Sequence, residues 1–184
     1  MSDVTQGKAA CCGTHSCASS NVIFILLIVL IGMWLFSRYF GPANALKGQP
    51  APVFKAKMVD GTTFNLEEHI GKRPVLLDFW AGWCPPCRKT LPNIGAVAKQ
   101  YPSDQVAICT INSSEKAEEI KRFMQANNLD LPAVSDNTGA IFTQYSVRGI
   151  PMLVFIDRSG IVTEVHTGSM SESALKEKVE ELLK

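Results

Sequence analysis

The segment Trp80-Ala81-Gly82-Trp83-Cys84-Pro85-Pro86-Cys87 limits what this chain can fold into more than any other. It closes the run Pro74-Val75-Leu76-Leu77-Asp78-Phe79-Trp80, a short apolar stretch bounded by turn signals, which reads as a fully buried strand. Pro85 and Pro86 cannot prolong that strand. Proline does suit the first turn of a helix, where its missing N–H removes no bond. The pattern therefore predicts a strand, a tight turn and a helix, with Cys84 at the helix N-terminus. Unpaired N–H groups and the positive end of the macrodipole face that position. Such a site favours thiolate over thiol, and thiolate is the species that attacks disulfides.

Two cysteines at this spacing also suit a structural disulfide or half of a zinc site. A zinc site needs two further ligands, and no second Cys-x-x-Cys occurs. Cys109, the only other cysteine downstream, sits alone in an apolar run beside Ile108 and Ile111, where a small buried hydrophobe is the simplest reading. The spacing points to a redox dithiol.

The segment Asp78 to Cys87 resembles the active site of thioredoxins, with the Pro-Pro pair common in the membrane-tethered TlpA/ResA branch. Pro92, five residues past Cys87, matches a helix-kinking proline of that family. Tyr145-Ser146-Val147-Arg148-Gly149-Ile150-Pro151 is similar to the thioredoxin segment that ends in a cis-proline. Gly48 to Phe54 and Asp60 to Leu66 resemble the N-terminal hairpin of the TlpA/ResA branch. The likeness covers roughly residues 48–184. It implies a thioredoxin fold, an α/β architecture with a mixed central sheet flanked by helices.

Site residues follow from the resemblance. Cys84 is expected as nucleophile and Cys87, a turn inward and less exposed, as resolving thiol; together they form the redox-active disulfide. Asp78, alone in an apolar strand, is expected as the proton acceptor for Cys87, since a buried unpaired carboxylate carries a raised pKa. The alternative is a strand-end aspartate reaching water. A cis bond after Ile150 would free the Ile150 backbone to pair with an extended substrate, with Pro151, Pro85 and an exposed Trp83 completing the contact surface. Trp80 reads as core, and His69 and His166 carry no assigned function. Two positions depart from the relatives: Thr90 stands where ResA-type proteins carry a glutamate, and Ile108 occupies the place of a thioredoxin lysine near Asp78.

A second feature lies upstream. Val22 to Phe36 is an unbroken apolar run, somewhat short of the ~20 residues a membrane span needs but extendable through Ser19, Ser20, Asn21 and Ser37. Trp34, Tyr39 and Phe40 suit a membrane–water boundary. The reading is a single N-terminal transmembrane helix at 21–40, after a tail at 1–20 and before a linker at 41–47 and the thioredoxin-like domain at 48–184. A cleaved signal peptide, cut near Ala43-Asn44-Ala45, is the competing reading. Lys8 precedes the run whereas Arg38 and Lys47 follow it, which taken literally places the domain in the cytoplasm. The family resemblance implies the opposite: an inner-membrane anchor with the domain outside. Cys11, Cys12, His15 and Cys17 form a cluster the family does not explain, compatible with metal binding, acylation, disulfides or incidental thiols.

Elsewhere the pattern predicts two strands between Phe54 and Leu66 turning at Asp60-Gly61, a helix over 86–100 and a strand over 105–111. It continues with a helix over 114–127 opened by Ser113 or Ser114, a hairpin of 153–156 with 161–167, and a closing helix over 171–183. A formal net charge of +1 with no basic cluster argues against a nucleic-acid partner. The expectation is a membrane-anchored thiol–disulfide oxidoreductase that reduces protein disulfides, without a cofactor. The family implies a membrane electron donor of DsbD or CcdA type. A thiol peroxidase would need a Pro-x-x-x-Thr/Ser-x-x-Cys frame, but Leu77 and Ala81 occupy its first and fifth positions. A non-catalytic binding module would have no need of the intact dithiol.

Overall fold

Alternating strands and helices bury two kinds of surface here, and a computed structural model describes how, for residues 18–39 and 46–184. The chain divides into two units, Met1–Gly41 and Pro42–Lys184. The first contains helix α1 (Ala18–Tyr39), 22 residues long. Its described side chains, from Ile23 to Trp34, are all exposed and apolar apart from Gly32. They cover about 18 Å of helix axis at ~1.5 Å per residue. Among the described residues no helix is long and apolar enough to cross a membrane. The cysteines at 11, 12 and 17, with His15, lie outside the described residues.

The second unit is built on a five-stranded sheet with the order β5-β4-β3-β6-β7. Its strands are β3 (Val75–Trp80), β4 (Ala107–Ser113), β5 (Ala133–Asp136), β6 (Met152–Ile156) and β7 (Val162–Thr167). β3, β4 and β5 run parallel, and β6 and β7 add antiparallel partners. A separate hairpin pairs β1 (Lys55–Lys57) with β2 (Thr63–Asn65).

All six residues of β3 are buried, as the continuous apolar run demands of a strand covered on both faces. Leu76 and Trp80 join one core with Cys87, Leu91 and Ile94 of α2 (Pro85–Gln100), Ile120 of α3 (Ala117–Ala126) and Leu175 of α5 (Glu172–Leu183). Val75, Leu77 and Phe79 join the other with Phe54, Phe64, Cys109, and Ile141 of α4 (Ala140–Gln144). Side chains alternate along a strand, so Asp78 faces the α2 side between Leu76 and Trp80. Tyr145 ties the hairpin side together, its hydroxyl donating to Pro52 O at 2.8 Å.

Three differences from the sequence expectations have physical causes. α3 begins at Ala117, not Ser114: Ser114 takes a left-handed φ of 66°, and Glu119 reaches back to accept the Lys116 N–H at 3.0 Å. β5 and α4 were not expected. β5 is four residues long and α4 five, too short to display a period. Finally, β6 begins at Met152, one residue before the expected 153, directly after Pro151, which has no N–H for a ladder.

Candidate active site: a bridged dithiol at a helix N-terminus

Cys84 is the N-cap of α2, with Pro85 and Pro86 forming the first turn. Its φ of −89° and ψ of 109° are extended, as an N-cap requires. Its sulfur accepts the Cys87 N–H at 3.3 Å, satisfying one of the orphan donors of the helix start. Cys84 and Cys87 are joined by a disulfide, with Cα atoms 5.3 Å apart. The expected asymmetry is small: Cys84 is 3% exposed and Cys87 fully buried.

The opposite wall is the loop before β6. The Ile150–Pro151 peptide is cis. The carbonyl of Ile150 lies 3.7 Å from Cys84 Sγ, close enough to accept a weak S–H bond when Cys84 is a thiol. Gly168 N–H donates to Pro151 O at 2.8 Å, fixing this loop to the end of β7. Ser169 Oγ donates to Pro86 O at 3.2 Å, and Asn93 Nδ2 to Met170 O at 2.9 Å, anchoring α2 to the segment before α5. Trp83 projects outward at 68% exposure and Pro85 is exposed, whereas Trp80 is wholly buried in the core.

Asp78 does not reach water. It is 1% exposed, and neither carboxylate oxygen has a hydrogen-bond partner. Desolvation alone pushes its pKa from 3.8 up to about 8, so it holds its proton near neutral pH. Neither departure from the family supplies a partner. Thr90 is buried and its hydroxyl donates to Pro86 O at 3.2 Å, and Ile108 lies in β4. Cys109 is a free, buried thiol whose pKa burial drives far upward, with the Asp78 charge adding to the shift. It is inert packing, not a second nucleophile. No group of acidic, histidine or cysteine side chains among the described residues is arranged to hold a metal ion.

Sequence reasoning missed Asn112, Glu115 and Arg88. Glu115 follows the C-terminal end of β4 and its carboxylate accepts the Gly82 N–H at 2.6 Å. Arg88 Nε donates to the Gly82 carbonyl, also at 2.6 Å. One signal could have found them. In an α/β sheet, loops leaving the carboxyl ends of neighbouring parallel strands converge, and β3 and β4 are such neighbours.

Comparison with known proteins places this geometry. The chain is 34% identical over 165 residues to the thioredoxin-like protein YneN of Bacillus subtilis, covering 88% of this chain and 95% of that one. It is 30% identical to the thiol-disulfide oxidoreductase ResA of Halalkalibacterium halodurans, covering 86% and 90% respectively. The crystal structure of a thiol:disulfide interchange protein of the thioredoxin family from Chlorobium tepidum superposes with a TM-score of 0.68 at 29% identity, over 75% of this chain and 98% of that one. The mixed sheet flanked by helices is thus a thioredoxin fold of the TlpA/ResA kind. Since the Redoxin family model matches residues 46–183, the chain belongs to the Redoxin family.

Proposed function

We propose that this protein is a membrane-tethered thiol–disulfide oxidoreductase that reduces disulfides in protein substrates through Cys84 and Cys87. The observation that carries the reading is the Cys84–Cys87 bridge at the N-terminus of α2, facing the Ile150 carbonyl across the site.

In the reduced protein the Cys84 thiolate is stabilised by the Cys87 N–H and the helix terminus. It attacks one sulfur of the substrate disulfide. A mixed disulfide forms, and the other substrate sulfur leaves as thiolate and takes up a proton. Cys87 then gives its proton to Asp78 in the minority of molecules whose carboxyl is ionised near neutral pH, and attacks Cys84 Sγ; the second substrate sulfur departs as thiolate and the Cys84–Cys87 bridge closes. Two electrons have passed from the dithiol to the substrate. A pKa of about 8 suits this exchange, because a base works best when its pKa lies near the working pH. An extended substrate pairs with the Ile150 backbone beside Pro151, and Trp83 and Pro85 supply apolar contact. The tight enclosure of both sulfurs limits attack to disulfides presented on an accessible strand.

Tethering rests on α1. What supports it is the sequence, an unbroken apolar run from Val22 to Phe36 that Ser19, Ser20, Asn21 and Ser37 can extend toward the ~20 residues a span needs. The likeness to the TlpA/ResA branch supports a domain outside the cytoplasm at the inner membrane, where a reductase needs electrons from across the bilayer. A DsbD- or CcdA-like membrane dithiol carrier is the donor proposed.

Redox titration of the couple tests the direction of flow. A reductase requires a potential more negative than about −180 mV, whereas a value near −120 mV would make the protein an oxidant. Cys84→Ser should abolish insulin reduction, and Cys87→Ser should accumulate mixed disulfides on Cys84. Near-normal reductase activity in Cys84→Ser would overturn the assignment.

A further inference from the structure

The loop between β3 and α2 is held at one residue by two charged side chains. Gly82 donates its N–H to Glu115 Oε2, and its carbonyl accepts from Arg88 Nε, both at 2.6 Å. Each anchor is itself fixed. Glu115 Oε2 also accepts from Asn112 Nδ2 at 2.6 Å, and the Glu115 N–H donates to Asn112 Oδ1 at 3.2 Å. Asn112 is fully buried at the end of β4, in register with Trp80. The Glu115 carbonyl accepts from Ser135 Oγ at 2.6 Å, tying the same residue to β5. The Arg88 guanidinium carbon lies 5.6 Å over the Phe123 ring, which packs against Trp80 with ring centroids 5.1 Å apart.

The carboxylate approaches so closely that a Cβ at position 82 would lie 2.7 Å from Glu115 Oε1, so a side chain there would have to displace it. Gly82 does not take a left-handed backbone; a larger residue there would instead push the Glu115 carboxylate off the loop. The chain also adopts a left-handed φ of 66° at Ser114, immediately before Glu115, a conformation non-glycine residues avoid. A local cost is accepted where Glu115 is turned back onto the loop.

We propose that Glu115 is a positioning residue for thiol–disulfide exchange: by holding the Gly82 N–H it sets where Trp83 and Cys84 meet the substrate. The inference rests on the function proposed above and adds to it a residue that touches neither sulfur. Gly82 is separated from Cys84 only by Trp83. With Gly82 held, Cys84 Sγ stays 3.3 Å from the Cys87 N–H and 3.7 Å from the Ile150 carbonyl. Without Glu115, the Gly82 N–H loses its partner, the loop keeps Arg88 and the Cys84 N–H bond to Ala81 O, and Cys84 shifts from the donor that stabilises its thiolate. The hydrogen bond, not the charge, is the operative feature. A glutamine oxygen in the same place accepts from both Gly82 and Asn112.

The test uses the full-length chain in detergent, with wild type, Glu115→Ala, Glu115→Gln and Gly82→Ala. Insulin reduction gives kcat and KM, and iodoacetamide labelling of Cys84 across pH, mapped by mass spectrometry, gives its thiolate midpoint. Glu115→Ala should lose up to about tenfold in kcat/KM, the scale of one net hydrogen bond, with the Cys84 midpoint moved to higher pH. Glu115→Gln should stay within about twofold of wild type, with no upward move of the midpoint. Gly82→Ala, which pushes the carboxylate away, should behave like Glu115→Ala and serves in its place if that variant fails to fold. A Glu115→Ala protein within twofold of wild type would overturn the proposal, as would a Glu115→Gln protein as slow as Glu115→Ala. An inactive wild-type protein would count against the proposed function alone, because the labelling midpoints would still report on the loop.

Discussion

Replacing Asp78 by asparagine should make this protein more stable at neutral pH, by an amount that grows as the pH rises. Both carboxylate oxygens are buried without partners, and burial raises the pKa from 3.8 to about 8. Below pH ~4 the group is protonated whether the chain is folded or not, and it contributes nothing to the pH dependence. Between ~4 and ~8 the unfolded chain has lost the proton that the folded chain still holds, so stability falls as pH rises, by about 1.4 kcal/mol per unit. At pH 7 the accumulated loss is on the order of 4 kcal/mol, and it levels off above pH ~8. Asparagine cannot ionise and removes this loss. Its amide carries one more unpaired donor than the neutral acid, which costs ~1–3 kcal/mol at every pH. The variant should therefore equal or fall below wild type at pH 4 and exceed it by about 1–3 kcal/mol at pH 7. Urea unfolding of the two oxidised proteins in detergent, at intervals from pH 4.5 to 8.5, measures the difference; His69 and the other titrating groups cancel. The same substitution should slow resolution of the Cys84 mixed disulfide, since Cys87 loses its proton acceptor. A stability difference that stays constant across this pH range would mean that Asp78 reaches a partner or solvent.

Other outcomes follow from the same geometry. Trp83→Ala should raise KM for protein disulfides several-fold while leaving the rate with a small disulfide nearly unchanged, because the residue is largely exposed; equal losses with both substrates would make Trp83 structural. Cys109 should resist N-ethylmaleimide at pH 8 in the native protein and react in urea, since burial keeps it a thiol; mass-spectrometric mapping of native modification at Cys109 would contradict the packing described. For topology, a membrane-impermeant thiol reagent applied to intact cells after mild reduction should reach Cys84 while Cys11, Cys12 and Cys17 stay protected. The reverse pattern would place the domain in the cytoplasm, as the lysine and arginine count suggests, and a mature protein lacking its first ~45 residues would indicate a cleaved signal.

By itself, the sequence determined the elements whose causes are local. An apolar run ending in Trp80 had to be a strand buried on both faces, and two prolines after Cys84 had to open a helix. That places the dithiol at a helix N-terminus before any contact is known. The hairpin at Asp60-Gly61 and the closing helix capped by Ser171 were legible for the same reason: turn chemistry and helix caps act within a few residues. Resemblance extended the reading to the bond before Pro151, which no local pattern could have settled. What only the tertiary structure decided depends on residues far apart in sequence. β5 and α4 are too short to carry a period; β5 forms as the parallel partner on the edge of β4, and α4 packs beside β5. Asp78 reads as a polar interruption in a strand; that it has no partner at all depends on Thr110, Leu153 and α2 closing over it from three other segments. Glu115 looks like one more acidic residue before an amphipathic helix. It reaches Gly82 because β3 and β4 lie parallel and end side by side, so two loops thirty-three positions apart share one hydrogen bond. Local chemistry placed the sulfurs, and strand order decided what holds them.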